Sequence, residues 1–174
     1  LGLLYNFQVL PSRISFGRFF KIRDIPGSKT IVITLAWTIV AVFVPVLTPD
    51  RSIGSSVALP FLLAAGLIFV RTAFFDILDM EGDRILGRET LPLLFGKRRM
   101  IQLLKGLLFI WAVGLITATS LQPSVLLAAI TVCPVILFLM IVGYERSWIL
   151  SQIWIEFLVE SHFVYIGLAA LVTT

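Results

Sequence analysis

Asp76, Asp79 and Asp83 stand three and four residues apart, directly after an apolar run, in the segment Asp76-Ile77-Leu78-Asp79-Met80-Glu81-Gly82-Asp83-Arg84. At about 100° per helical residue, the three fall within roughly 60° of one another on a helix face. Carboxylates crowded on one face repel, and the arrangement is costly unless a cation lies among them. The fitting cation is a hard divalent ion, Mg²⁺ foremost, which takes oxygen ligands and bridges carboxylates to phosphate oxygens. A charged helix end that only stops a membrane span explains one or two acids. It explains poorly three on one stripe, followed by Gly82 and Arg84.

The elements that must position these acids are membrane helices. The chain has 174 residues, 59% of them hydrophobic and 14% charged, with a mean hydropathy of +1.03. A soluble domain would carry about 25% charge. Each long apolar run approaches spanning length, which predicts an all-α, multi-span bundle in one domain over residues 1–174. About five spans are expected, at 30–47, 53–75, 100–119, 125–142 and 153–172, and residues 1–5 read as the tail of an earlier one. The chain opens with Leu in mid-hydrophobic run, without a signal-peptide layout, so a natural N-terminus upstream is expected. Membrane lipid is the expected surroundings, and no nucleic-acid partner is expected.

The charge is uneven. Arg13, Arg18, Lys21, Arg23 and Lys29 crowd the loop before the first full span, and Arg84, Arg88, Lys97, Arg98 and Arg99 the loop after the second. The positive-inside rule then puts both basic loops, with the acids, in the cytoplasm and the C-terminus outside. A basic face also suits anionic lipid head groups. Residues 89–96 are expected to form a short amphipathic helix ended by Gly96. Pro60 and Pro134 are expected to kink or locally loosen their helices. Lone Cys133 reads as a packing residue. Lys105 is expected to snorkel to the surface. Glu156 and Glu160 read as interfacial acids beside Trp148 and Trp154, and His162 as a hydrogen-bonded packing residue.

The run from Arg71 through Asp76, Asp79, Gly82-Asp83-Arg84, Gly87-Arg88 and Thr90-Leu91-Pro92 to Gly96 resembles the second aspartate-rich motif of the UbiA superfamily of intramembrane prenyltransferases. That pattern is close to D-x-x-D-x-x-G-D-R, then G-R-x-T-L-P and a glycine. Lys21-Ile22-Arg23-Asp24-Ile25-Pro26-Gly27-Ser28-Lys29 resembles the family's basic loop before its fifth helix, and Leu3-Leu4-Tyr5 the end of its fourth. The resemblance covers the first hundred residues and implies the later part of a nine-helix fold. It implies transfer of an isoprenyl group from an isoprenyl diphosphate to a hydrophobic aromatic or lipid acceptor, with Mg²⁺ as cofactor, in quinone or related prenyl-lipid synthesis. Asp76, Asp79 and Asp83 would serve as metal-binding catalytic residues. Arg71, Arg84, Arg88, Arg23 and Lys29 would bind diphosphate, and Tyr5 would line the cavity near the cation. In a bacterium or archaeon such an enzyme lies in the plasma membrane.

One departure matters. The family's first motif, an Asn followed by aspartates at helical spacing, is absent, and Asp24 and Asp50 stand isolated. The expectation is therefore an enzyme portion inactive alone, whose partner is the missing N-terminal half. The alternative is a non-catalytic or split membrane subunit that binds prenyl diphosphate. Alcohol phosphatidyl transfer wants D-G-x-x-A-R, which the chain lacks. A transporter is disfavoured because the acids lie at a span's end.

Overall fold

A computed structural model describes residues 27–46, 57–148 and 151–173, and all regular structure in them is helical. The chain divides into two compact units, Leu1–Met100 and Ile101–Thr174, where composition alone reads as one domain. In a bilayer no water-exclusion force draws helices together, so only specifically packed pairs cohere.

In the first unit, α1 (Ser28–Val46) packs on α2 (Ala58–Leu78). The α1 sequence is rich in β-branched residues, poor helix formers in water. In an apolar medium, however, the helix is the conformation that satisfies every backbone group internally. Thr30, Thr34 and Thr38 recur at i+4 and are buried, while Ile31, Trp37 and Val40 face outward. This inversion of the soluble pattern suits a lipid-facing helix. The buried hydroxyls are satisfied within the helix: Thr34 donates to the Thr30 carbonyl and Thr38 to the Thr34 carbonyl, both at 2.7 Å. Thr72 on α2 donates likewise to the Ile68 carbonyl at 2.8 Å. Small polar side chains turned inward let α1 and α2 approach closely.

Two short helices follow α2: α3 (Met80–Ile85) and α4 (Leu91–Phe95). The end of α3 is a six-residue closure. Gly87 adopts φ 65°, its N–H donates to the Arg84 carbonyl at 3.3 Å, and the Arg88 N–H donates to the Asp83 carbonyl at 2.9 Å. A left-handed residue is required at the first position beyond such a helix end, and glycine takes it without strain. Gly96, at φ 86°, closes α4 as the sequence predicts, its N–H donating to the Pro92 carbonyl at 2.9 Å.

The long helix α5 (Lys97–Leu121) begins at the last residues of the first unit, and its Ile101, Leu104, Leu108 and Leu115 form one buried stripe. In the second unit α6 (Val125–Glu145) packs on α7 (Gln152–Thr173). Ser124 caps α6 by accepting from the Leu127 N–H at 3.5 Å. Four helices, α2, α5, α6 and α7, are long and apolar enough to cross a membrane, and α1 holds a shorter apolar stretch, Ser28–Val44. This is the composition of a multi-pass integral membrane protein.

Pro60 departs from expectation: it lies in the first turn of α2, where the N–H lacks an intrahelical partner anyway, so no kink is required. Pro134 lies inside α6 without ending it. The Lys105 ammonium meets Glu145, the last residue of α6, at 2.5 Å.

Candidate functional site

Asp76, in the last turn of α2, is buried, and two residues from the first turn of α1 meet it. Lys29 Nζ lies 3.2 Å from Oδ1, and Thr30 Oγ1 donates to Oδ2 at 2.5 Å. These partners lie 47 and 46 residues away in sequence. The local sequence explains the meeting. Free backbone N–H groups and the positive dipole end at the start of α1 favour a carboxylate there. Gly27 fixes where α1 starts, because its N–H donates to the Glu89 carbonyl at 2.8 Å. It adopts φ 74°, and a Cβ at this position would fall 2.3 Å from Leu91 Cδ2. A side chain would thus be both strained and obstructed. The basic loop and the acidic segment are therefore joined at three places, through Gly27, Lys29 and Thr30.

Asp83 is the second buried acid. The closure at Gly87 returns the chain so that Arg88 NH1 comes within 3.4 Å of Asp83 Oδ1. Its other oxygen, Oδ2, is buried and has no hydrogen-bond partner among the described residues, and the same is true of the Thr90 hydroxyl. Thr90 sits at the cap position of α4, yet its carbonyl, not its hydroxyl, receives the Leu93 and Leu94 N–H groups, both at 3.1 Å. Leaving a buried polar atom unpaired costs about 1–3 kcal/mol, and more for a charged one. Such an atom is a natural place for a donor or cation from outside the chain.

The third acid stands apart. The helix is interrupted at Asp79 (φ −87°, ψ 4°) between α2 and α3, so ideal-helix angles no longer relate the residues on its two sides. Asp79 is exposed. Among the described residues no three acidic, histidine or cysteine side chains converge as a metal cage. The charge compensation inferred from the sequence is also supplied in part by the protein, through Lys29 and Arg88. The carboxylate and hydroxyl oxygens present, with an orphaned Asp83 oxygen among them, still fit Mg²⁺, which needs only one or two carboxylates beside phosphate oxygens and water.

Two further expected residues, Arg71 and Arg84, lie among the described residues. Arg71 is half-buried one turn before Asp76, its guanidinium 4.8 Å from the Phe75 ring centre. Arg84 is exposed and lies 3.8 Å from Glu81, a loose surface pair. Tyr5 and Arg23 lie outside the described residues. Sequence reading missed Thr30 and Thr90. The i+4 recurrence of Thr30, Thr34 and Thr38 was the signal that Thr30 faces inward. Thr90 carried no signal beyond its place in the motif.

In the second unit His162 is buried and its Nδ1 meets the Val159 carbonyl, while Glu156 accepts from Gln152 Nε2 at 2.8 Å. These are packing and rim interactions of the expected kind. Buried Cys133 is likewise a packing residue. Compared with protein-family models, curated proteins and solved structures, the chain matches none.

Proposed function

We propose that this chain is the acidic-motif part of a Mg²⁺-dependent intramembrane prenyltransferase, which moves an isoprenyl group from an isoprenyl diphosphate to an aromatic or lipid acceptor. The observation that carries the reading is the junction of the two loops. Lys29 and Thr30 reach Asp76 across 47 and 46 residues, and Lys29 and Asp76 belong to the two segments that resemble the UbiA superfamily. A chance likeness of two separated motifs would not require them to meet.

In this reading Asp76 and Asp83 would hold Mg²⁺, with Asp79 exposed beside them. Bound Mg²⁺ would neutralise charge on a departing diphosphate. The chain's own cations do related work. Lys29 and Arg88 keep positive charge beside the two acids at 3.2 and 3.4 Å, ready to pair with phosphate oxygens as the C–O bond breaks and its electron pair leaves with the diphosphate. Arg71 and Arg84 would add diphosphate contacts, and the resemblance assigns Arg23 to the same task and Tyr5 to the allylic end. The acceptor then bonds to the allylic carbon and gives up a proton. The acidic end would face the cytoplasm and the C-terminus the outside, in the plasma membrane of a bacterium or archaeon. Turnover would need the family's first aspartate-rich motif, which residues 1–174 do not contain, so no transfer is expected from these residues alone.

A second reading rests on the absence of that motif and on the protein cations already at Asp76 and Asp83. It is a membrane subunit that binds prenyl diphosphate without chemistry. Both readings are tested by photo-crosslinking with a diazirine-bearing isoprenyl diphosphate. Labelling within residues 71–99 should require Mg²⁺ and fall away in Asp76→Asn and Asp83→Asn. Labelling indifferent to Mg²⁺ and to both substitutions would remove the site.

A further inference from the structure

Ile85, Leu86, Leu94 and Phe95 are 85%, 65%, 48% and 54% exposed. None lies on a spanning helix; they sit on α3, α4 and the turn after α3. Four such side chains in water would be an unusual apolar surface for so short a segment. The segment is bracketed by two helices apolar enough to span, α2 ending at Leu78 and α5 beginning at Lys97. Ile85 follows Leu78 by seven residues and Phe95 precedes Lys97 by two, so the tethers to both spanning helices keep these residues near the membrane surface.

The charges point the same way. Asp83 is taken up by Arg88, and Glu81 lies within reach of Arg84. Arg98 and Arg99 are exposed in the first turn of α5, and among the described residues they have no acidic partner. That turn contains no acid, and cations at a helix start oppose its dipole. Both features favour negative charge that the described residues do not supply. A helix of six residues and one of five build no groove for a protein partner. Apolar residues interleaved with arginines beside a bilayer are what a surface of acyl chains and anionic head groups accepts.

We infer that Ile85, Leu86, Leu94 and Phe95, with Arg98 and Arg99, form an interfacial foot that seats this end of the chain in a leaflet containing anionic lipid. The inference stands independently of any transferase activity.

The test uses the full chain in vesicles of phosphatidylcholine with phosphatidylglycerol. A fluorophore is placed by Leu94→Cys in a Cys133→Ser background, with Ile85→Cys as a second, independent position and helicity as the folding check. Nitroxide on either lipid at equal mole fraction is the quencher. The foot predicts strong quenching by both lipids, with phosphatidylglycerol preferred by roughly five-fold per arginine. In Arg98→Gln/Arg99→Gln the preference should fall to near unity while quenching persists. Three outcomes would overturn it. One is a label open to aqueous acrylamide and quenched by neither lipid. Another is equal quenching by the two lipids in the unsubstituted chain. The last is shielding that appears only at protein densities where the chain cross-links to itself.

Discussion

At the end of α2 two carboxylates are buried, each with a cation at 3.2 or 3.4 Å. In the second unit the Lys105–Glu145 pair is tighter, at 2.5 Å, yet 24% of the lysine side chain and 40% of the glutamate side chain stay exposed. Distance therefore ranks the two regions in the wrong order. The second unit keeps its pair at the end of α6, where water screens it and its worth is small. The first unit draws Asp76 and Asp83 out of solvent, and among the described residues Asp83 Oδ2 has no partner. A membrane chain that only had to stop a helix would use the second arrangement. The first is costlier to assemble, which is why the proposed site is placed there rather than in the second unit.

That contrast can be attacked by substitution, with stability read from unfolding of the detergent-solubilised chain. The largest effect is expected for Lys29→Met, which strands Asp76 with Thr30 alone. Removing one partner of a buried pair costs 3–5 kcal/mol, and the exposed part of Lys29 lowers the expectation to about 3 kcal/mol. A loss near zero would place Asp76 in the same class as Glu145. Gly27→Ala comes next, at about 1–2 kcal/mol, because a left-handed alanine is strained and its methyl must displace the tip of Leu91. It should also loosen the link between Gly27 and Glu89, measurable as faster amide exchange at residue 27. Lys105→Met should be the mildest, about 0.5 kcal/mol. A cost matching that of Lys29→Met would erase the difference between the units.

The helices were legible because in a membrane the length and purity of an apolar run leave little choice. The expected span at 53–75 became α2 (Ala58–Leu78), and that at 100–119 became α5 (Lys97–Leu121). The ends moved because helices run on past the apolar stretch into charged residues such as Asp76 and Lys97. Gly96 was legible as a stop because its left-handed conformation has a sequence signature. The acidic stripe was legible only in part. A single interrupted residue at Asp79 undid the angular argument that joined it to Asp76 and Asp83, and nothing in the residue types announces such a break. The pairing of Asp76 with Lys29 and Thr30 was hidden for another reason. It depends on how α1 lies on α2, a tertiary fact that local spacing does not encode. The division into two units was equally invisible, because lipid-facing and helix-facing surfaces are alike in hydropathy.

The central claim is that Asp76 and Asp83 take up a magnesium-bound diphosphate. It is tested most directly by titrating an isoprenyl diphosphate into the full protein in a calorimeter, with Mg²⁺ and with chelator, beside Asp83→Asn. Binding should require Mg²⁺ and weaken about 30-fold or more in Asp83→Asn, the scale for loss of one member of a buried charged contact. Binding of equal strength in chelator, or in Asp83→Asn, would contradict it.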